Sequence, residues 1–261
     1  MLRSLYTAAT GMEAQQLQLD TIANNLANTG TTGFKAVRAE FADLLSDTLR
    51  GSLAPDPRGG TPPSPLQVGL GVQTGTTTRF FTQGNLVATQ NQLDLAIQGN
   101  GFFRIQRFDG SWAYTRAGNF RVDATGRLVD QAGEVLDPGI TIPPNTTQVT
   151  VQPDGTVFAT VPGSTKSQQV GVIQLHTFPN PSGLEAVGGN LYVETEGSGQ
   201  EIILRPGDQG AGTINQGYLE NSNVQAVNEM INMINVQRAY ELNSKVVQTS
   251  DQMLQRLTSL R

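Results

Sequence analysis

The chain has 261 residues, enough for one large or two modest domains with buried cores. Its net charge is −5 and only 15% of its residues are charged, which disfavours binding to nucleic acid or to anionic lipid. It has no cysteine and a single histidine, which excludes disulfides, thiolate metal sites, a cysteine nucleophile and any site built from two imidazoles.

The N-terminal segment predicts an amphipathic helix. Apolar residues recur at every seventh position and at matching i+3 positions: Leu5, Ala8, Met12, Leu19, Ile22 and Leu26. Gly30 and Gly33 predict that this helix ends near Asn28. Amides from Gln15 onward interrupt the apolar stretch that a signal peptide needs, and no apolar run reaches the ~18–20 residues of a membrane span. Taken alone, these features predict a cytoplasmic protein without membrane insertion.

The middle of the chain predicts short strands after a stretch rich in helix breakers. Between Arg50 and Leu66, prolines and glycines are too dense for a helix or a central strand, so residues 34–68 are expected to form an extended linker. From residue 69 to residue 218, short apolar or alternating runs are separated by four turn pairs: Asp109-Gly110, Thr125-Gly126, Asp154-Gly155 and Ser182-Gly183. This spacing predicts a mainly-β domain built of hairpins.

The C-terminal segment predicts a second long helix. Ser222 and Gln225 have the spacing of a capping box. A stripe follows with a mean step of about 3.67 residues, close to the period of a straight α-helix: Val227, Ile231, Ile234, Arg238, Leu242, Val246, Thr249, Met253, Leu257 and Leu260.

The terminal helices are expected to need neighbours. Ordering a helix of about 25 residues costs roughly 1–2 kcal/mol per residue, whereas about six buried side chains contribute only ~1.5–3 kcal/mol each. Pairing the two helices buries one stripe on each. Many of the remaining positions are amides, which can be buried with satisfied hydrogen bonds: Asn24, Asn25, Asn228, Asn232, Asn235, Gln237, Asn243, Gln248 and Gln252. We therefore expect the paired helices to be surrounded by other copies of the chain.

No residue pattern in the chain predicts an active site. The chain contains no nucleophile elbow, zinc-binding helix motif, phosphate-binding loop or dinucleotide turn. Gly99-Asn100-Gly101 is interpreted as a strand-entry turn, and His176 as a packed strand histidine. A carboxylate pair could come from four aspartates, although turn and cap roles explain the last three more simply: Asp94, Asp123, Asp130 and Asp137. We expect no catalytic residue, no cofactor and no metal ion.

Five arginines fall close together in the predicted β domain: Arg104, Arg107, Arg116, Arg121 and Arg127. They can form a solvated sheet face, or an interface with a carboxylate-bearing neighbouring subunit or a cell-wall polymer. The sequence leaves both interpretations open.

Three segments resemble the flagellar rod and hook axial protein family. Residues 19–35, LDTIANNLANTGTTGFK, are similar to the signature that these proteins share. Residues 91–121, with LDLAI, GNGFF and YTRAGNF, resemble the shared β core. Residues 217–245, with GYLENSNV, QRAYE and NSK, are closest to the distal rod members of the family. The resemblance covers nearly the whole chain.

The resemblance implies a structural subunit of the distal rod. Such a subunit self-assembles into a rigid tubular drive shaft that transmits torque from motor to hook, and it is not an enzyme. The implied partners are further copies of itself, proximal rod proteins, the hook protein, L and P ring proteins, the rod cap protein and the flagellar type III export apparatus. The implied location is the basal body, in a rod that spans the periplasm to the outer membrane. Export without a cleaved signal peptide would replace the cytoplasmic prediction.

The expected fold is α+β, with paired terminal helices forming a coiled-coil-like stalk beside the central β domain. Residues 1–33 and 219–261 would form the helical polymerisation domain, residues 34–68 the linker and residues 69–218 the β domain. The expected polymerisation interface consists of apolar helix positions: Leu5, Met12, Leu19, Ile22, Leu26, Val227, Ile231, Ile234, Leu242, Val246, Met253 and Leu257. Phe41 and Leu45 match the pattern by which such chains are recognised at the export gate.

Three alternatives stay open. The chain could be a hook subunit, although its QRAYE tail and modest length favour the rod. It could be a proximal rod subunit. The stretch 46–64 would distinguish a proximal from a distal rod subunit, because it lies where distal-rod and hook proteins carry distinguishing insertions. It could also be an enzyme or a cell-wall-binding β domain with helical arms, whose activity would have to come from residues 70–217.

Overall fold

The computed structural model describes residues 2–50, 66–162 and 167–259. Long helices lie at both ends of the sequence and short strands lie between them, which confirms the predicted α+β class. The chain divides into two compact units. The helical unit comprises Met1–Leu26, Val37–Thr78 and Gln225–Arg261, and the β unit comprises Ala27–Ala36 and Arg79–Val224. These bounds differ from the expected ones, since residues 27–36 group with the β unit and residues 37–78 with the helices.

The helical unit contains two helices and four strands in its described part: α1 (Leu2–Ala27), β1 (Val37–Asp43), β2 (Ser46–Arg50), β3 (Leu66–Gly69), β4 (Val72–Arg79) and α2 (Ala226–Ser259). Strand β1 pairs with β4, and β2 pairs with β3 in antiparallel register. Residues 51–65, which hold most of the proline- and glycine-rich stretch, lie outside the described residues.

The two helices approach closely and run antiparallel. A Cβ atom added to Gly11 of α1 would lie 2.9 Å from the Asn243 Nδ2 of α2. Towards the other end, Ile22 of α1 lines the same cavity as Glu229 and Asn232 of α2. A side chain at position 11 would therefore have to displace the amide of Asn243. In the part of the chain that the structure describes, neither helix is long and apolar enough to span a membrane.

The helix boundaries confirm one prediction and correct another. α1 ends at Ala27, next to the predicted Asn28, and the Thr31 N–H donates to the Asn28 carbonyl in the turn that follows. The predicted capping box at Ser222 is wrong, because α2 starts only at Ala226. Ser222 Oγ instead accepts a hydrogen bond of 3.2 Å from the Val224 N–H, which forms a turn before the helix.

The β unit contains sixteen short strands in its described part: β5 (Leu86–Ala88), β6 (Leu95–Gln98), β7 (Phe103–Gln106), β8 (Trp112–Thr115), β9 (Arg121–Val122), β10 (Leu128–Val129), β11 (Val135–Leu136), β12 (Gln148–Val151), β13 (Thr156–Thr160), β14 (Gln168–Val172), β15 (Leu175–Thr177), β16 (Glu185–Gly188), β17 (Leu191–Val193), β18 (Ile202–Leu204), β19 (Thr213–Gln216) and β20 (Tyr218–Glu220). A short 3-10 helix spans Pro181–Gly183.

The largest sheet of this unit has seven antiparallel strands in the order β16-β17-β8-β7-β11-β10-β9. A three-stranded sheet β12-β13-β14 and the pairs β15–β18, β19–β6 and β20–β5 complete the unit. Side chains from several of these sheets meet in one apolar core, whose fully buried members include Ile97, Phe103, Ile105, Val157 and Leu175. The β unit therefore has a core of its own.

Three of the four predicted turn pairs connect neighbouring strands. Asp109-Gly110 joins β7 to β8, Thr125-Gly126 joins β9 to β10, and Asp154-Gly155 joins β12 to β13. The glycines of these turns have φ angles between 81° and 85°, in the left-handed region that glycine adopts without strain. Ser182-Gly183 also separates two strands, β15 and β16, but it lies in the 3-10 helix and these strands do not pair with each other, so it forms no hairpin.

Candidate assembly site

The predicted stripe on α2 lies on the outer face of the single chain. Its apolar members with described side chains are between 43% and 67% exposed: Val227, Ile231, Ile234, Leu242, Val246 and Met253. Arg238 and Thr249, which belong to the same stripe, are exposed as well. The side chain of Leu257 lies outside the described residues. A helix with a largely apolar face towards water presents a surface that other protein can cover.

A different face of α2 is turned inward. Val236 and Ser250 are buried, and Met233, Val247 and Leu254 are half-buried. The expectation that the α2 stripe would be buried by pairing with α1 is therefore wrong. Both faces of α2 carry apolar residues, and their spacing alone does not show which face packs on the chain itself.

The predicted stripe on α1 is much less exposed. Ile22 is only 5% exposed, and Leu5, Met12, Leu19 and Leu26 are half-buried. The two stripes thus differ in a way that the sequence does not reveal: the α1 stripe is largely covered within one chain and the α2 stripe is not.

The two residues of the predicted export pattern differ in exposure. Leu45 lies between β1 and β2 and is 86% exposed, whereas Phe41 lies within β1 and is half-buried. An exposed leucine in a short connection is open to a binding partner without rearrangement of the unit.

The first half of the signature 19–35 joins α1 to β1 within the helical unit. The Asn25 side chain is buried and bonds the Val37 backbone in both directions. Its Oδ1 accepts from the Val37 N–H at 2.9 Å, and its Nδ2 donates to the Val37 carbonyl at 2.8 Å. An amide is required here because only an amide both donates and accepts in this geometry.

The second half of the signature is part of the β unit. A Cβ atom on Gly33 would lie 2.7 Å from the backbone nitrogen of Ala117, and Gly33 has a φ of +70°. Both the close approach and the backbone conformation require glycine. The Asn190 side chain donates to the Thr32 carbonyl at 2.9 Å, which fixes the same segment from another strand connection.

A buried cluster of three charged side chains holds this segment. Lys35 Nζ lies 2.6 Å from Glu220 Oε1, and Arg116 Nε lies 3.0 Å from Glu220 Oε2. Lys35 and Glu220 are fully buried, and Arg116 is almost so. Lys35 also donates to the Thr82 carbonyl, and Arg116 donates to the carbonyls of Gly99 and Gly101. Every charge in the cluster therefore has partners of opposite polarity.

Burial is the main influence on the ionisation of the two cations. It lowers the pKa of Lys35 and the pKa of Arg116 from their ordinary values, and the charge of Glu220 acts in the opposite direction on both. The negative charge of Glu220 thus offsets part of the free-energy cost of burying two positive charges.

Four of the five arginines in the β region are bonded within the chain. Arg104 pairs with Asp137 and Glu201, Arg107 with Asp109, Arg116 with Glu220 and Arg127 with Asp123. Arg121, in β9, is exposed, and its side chain has no hydrogen-bond or ion-pair partner among the described residues. The five arginines therefore do not form one free cationic surface.

The other candidate residues have structural surroundings. His176 is fully buried in β15, as predicted, and its Nδ1 lies 2.7 Å from Glu201 Oε2. Burial lowers the pKa of this histidine from its ordinary value. Gly99 and Gly101 lie between β6 and β7, where their carbonyls accept from Arg116. Within residues 2–50, 66–162 and 167–259, no group of metal-binding side chains is placed to hold an ion.

Sequence reasoning missed the role of Glu220. Lys35 and Arg116 lie in the segments that carry the family resemblance, but nothing in the local pattern links them to a carboxylate 185 residues after Lys35. Their charged character inside motifs with few other charges is the signal that could have suggested a buried ion cluster.

Three protein-family models match the chain. "Flagella basal body rod protein" matches residues 5–35, "Flagellar hook protein FlgE/F/G D1 domain" matches residues 96–159, and "Flagellar basal body rod FlgEFG protein C-terminal" matches residues 215–260. The first match covers most of α1 together with the signature, and the last covers α2.

Two full-length relatives carry the same name. The chain is 47% identical over 261 residues to "Flagellar basal-body rod protein FlgG" of Caulobacter vibrioides and 43% identical over 267 residues to the protein of that name from Bacillus subtilis, with 100% of each chain covered. A match to "Flagellar hook protein FlgE" of Helicobacter mustelae, at 44% identity, covers only 52% of this chain and 30% of that protein.

Proposed function

The chain belongs to the flagellar basal-body rod protein FlgG family and is a structural subunit of the flagellar rod, and we propose that it self-assembles into the rigid distal rod that transmits torque from motor to hook. The outward apolar stripe of α2 carries this proposal. A single chain exposes this stripe to water, and a tube of many copies can bury it.

The physical argument for self-assembly is the asymmetry between the two helices. Covering a half-exposed apolar side chain contributes on the order of 1 kcal/mol. Six such side chains along one helix therefore supply a substantial part of a subunit interface. We assign the expected polymerisation interface mainly to the α2 residues. The α1 residues from Leu5 to Leu26 support the helical unit from within.

The other proposed partners are the proteins that a subunit of the distal rod would meet. We propose contacts with proximal rod proteins, the hook protein, the L and P ring proteins and the rod cap protein, and we propose that the chain performs no catalysis. Its location would be the basal body, in a rod that crosses the periplasm. It would reach that place through the flagellar type III export apparatus, without a cleaved signal peptide.

We propose that Phe41 and Leu45 take part in export. Replacing Leu45 with aspartate is expected to lower the exported fraction severalfold without destabilising the chain, because this side chain is 86% exposed. Immunoblots of cell and exported fractions measure the effect. Val87→Asp is the matched control, since Val87 is an exposed apolar residue of the β unit. Unchanged export of the Leu45→Asp chain would contradict this role.

Electron microscopy of basal bodies from cells that lack this gene tests the function. We expect a shaft that stops short of the outer membrane and carries no hook. A complete shaft without a hook would identify a hook subunit instead. Loss of the whole shaft would favour a proximal rod subunit, and an intact basal body would reject the proposal.

A further inference from the structure

The chain crosses the boundary of the β unit at residues 26/27, 36/37, 78/79 and 224/225, and the last three of these crossings are named the three exits. The segments just inside these three boundaries lie side by side in the β unit. They are residues 33–36, residues 79–84 and residues 220–224, and they are bonded to one another by side chains as well as by backbone.

Asn223 bonds to the other two segments at once. Its Oδ1 accepts from the Ala36 N–H at 2.7 Å. Its Nδ2 donates to the Phe80 carbonyl at 2.8 Å and to Thr82 Oγ1 at 2.9 Å. The Phe80 N–H in turn donates to the Ala36 carbonyl at 2.9 Å, which closes a ring of hydrogen bonds across all three segments.

The buried charge cluster makes a second connection among the same segments. Glu220 accepts from Lys35 and, through the same Oε1, from the Gly84 N–H at 2.8 Å. Its backbone carbonyl accepts from the Gly33 N–H at 2.7 Å. Lys35 completes the set with its bond to the Thr82 carbonyl at 2.8 Å.

We propose that Lys35, Glu220, Arg116 and Asn223 form one clamp that holds the three exits of the chain from the β unit together. Force along any of these segments would be shared by several bonds loaded in parallel, with Arg116 tying the cluster to the turn at Gly99 and Gly101. The force-carrying part of this proposal rests on the proposed function as a torque-transmitting subunit. The clamp itself is a property of the single chain.

A cluster that only stabilises the core would behave differently from a clamp. Loss of a core contact, or of one of the buried charges, raises the opening of the whole unit, whereas loss of the Asn223 bonds frees the three exits and leaves the core closed. Amide hydrogen exchange of the full chain separates these cases, because it reports on each segment individually.

The decisive variant is Asn223→Ala. We expect amide exchange at Ala36, Phe80 and Gly84 to rise roughly tenfold or more, while exchange at Ile97 and Ile105 in the core stays unchanged. Phe80 is the critical reporter because its N–H donates to the Ala36 carbonyl and keeps that acceptor in the variant. Faster exchange at Ala36 alone, or throughout the β unit, would overturn the proposal.

Two further variants test whether the change in exchange is specific to the bonds of Asn223. Gln216→Ala is the matched control, because Gln216 also bridges two segments, with Nε2 bonds to the carbonyls of Gln92 and Val149, away from the three exits. Its loss should leave Phe80 protected. Asn223→Asp keeps the acceptor for the Ala36 N–H but removes the Nδ2 bonds to Phe80 and Thr82, so exchange should rise at Phe80 and rise less at Ala36 than in Asn223→Ala.

The force-carrying role is tested in cells that produce the Asn223→Asp chain. We expect rods in normal number and a fall in swimming speed that grows with the viscosity of the medium. Normal speed at high viscosity would overturn this role. Because exchange is measured on the unassembled chain, the result for the clamp does not depend on whether the chain forms the distal rod.

Discussion

Replacing Ile231 with aspartate is expected to abolish rod assembly and swimming while leaving the single chain as stable as before. Ile231 is 52% exposed near the N-terminal end of the α2 stripe, so in the unassembled chain the new carboxylate stays in water. In the assembled tube, the same carboxylate would be buried among apolar side chains without a partner, at a cost of several kcal/mol for each subunit, on the order of 3–5 kcal/mol. That penalty repeats along the polymer.

Two measurements check this expectation. Thermal unfolding of the purified chain should show an unchanged Tm, and electron microscopy of basal bodies should show no distal rod. Gln255→Asp is the matched control, since Gln255 is exposed on the same helix about a third of a turn around its axis from Ile231. It should assemble normally. Rods of normal length from the Ile231→Asp chain would rule out the α2 stripe as an assembly surface.

The same substitution in α1 should behave in the opposite way. Ile22→Asp places the charge at a position that is only 5% exposed within the single chain, so it should destabilise the chain before any assembly begins. Comparing the two substitutions therefore distinguishes a surface that is buried between copies from one that is buried within one copy.

Local patterns were sufficient to predict most of the secondary structure. The heptad spacing predicts α1, and the glycine turns at Gly110, Gly126 and Gly155 predict three strand connections, because each signal acts within a few residues. Ser182-Gly183 is a similar polar residue–glycine pair, but it is part of a 3-10 helix. Pro181 at the first position of that helix sets the backbone angle.

The orientation of α2 and the charge cluster could not be predicted locally. Both faces of α2 carry apolar residues, and the choice between them depends on contacts with distant segments. Lys35 and Glu220 are 185 residues apart, so only the folded chain shows that each neutralises the other. Periodicity therefore identifies an amphipathic helix, whereas tertiary contacts decide what its apolar side will meet.

Replacing Glu220 with glutamine is expected to lower the free energy of unfolding of the β unit by roughly 3–5 kcal/mol. Glutamine has nearly the same shape, but it leaves Lys35 and Arg116 buried without an anion. Its NH2 group would also face a donor, because both Glu220 oxygens accept hydrogen bonds from cations. Urea unfolding followed by circular dichroism measures the loss. The control Arg127→Gln breaks the exposed pair with Asp123 and should change stability little.

A second substitution distinguishes an unpaired charge from a lost packing contact. If the cost of Glu220→Gln comes from the buried ammonium group, then adding Lys35→Met removes that group and should recover part of the lost stability. Lys35→Met alone should cost less than Glu220→Gln, because Arg116 still neutralises Glu220 at 3.0 Å. Strictly additive losses in the double variant would show that the two side chains act independently. In that case Glu220 would be a packing residue, and charge neutralisation would not be what fixes the end of the signature segment to the β unit.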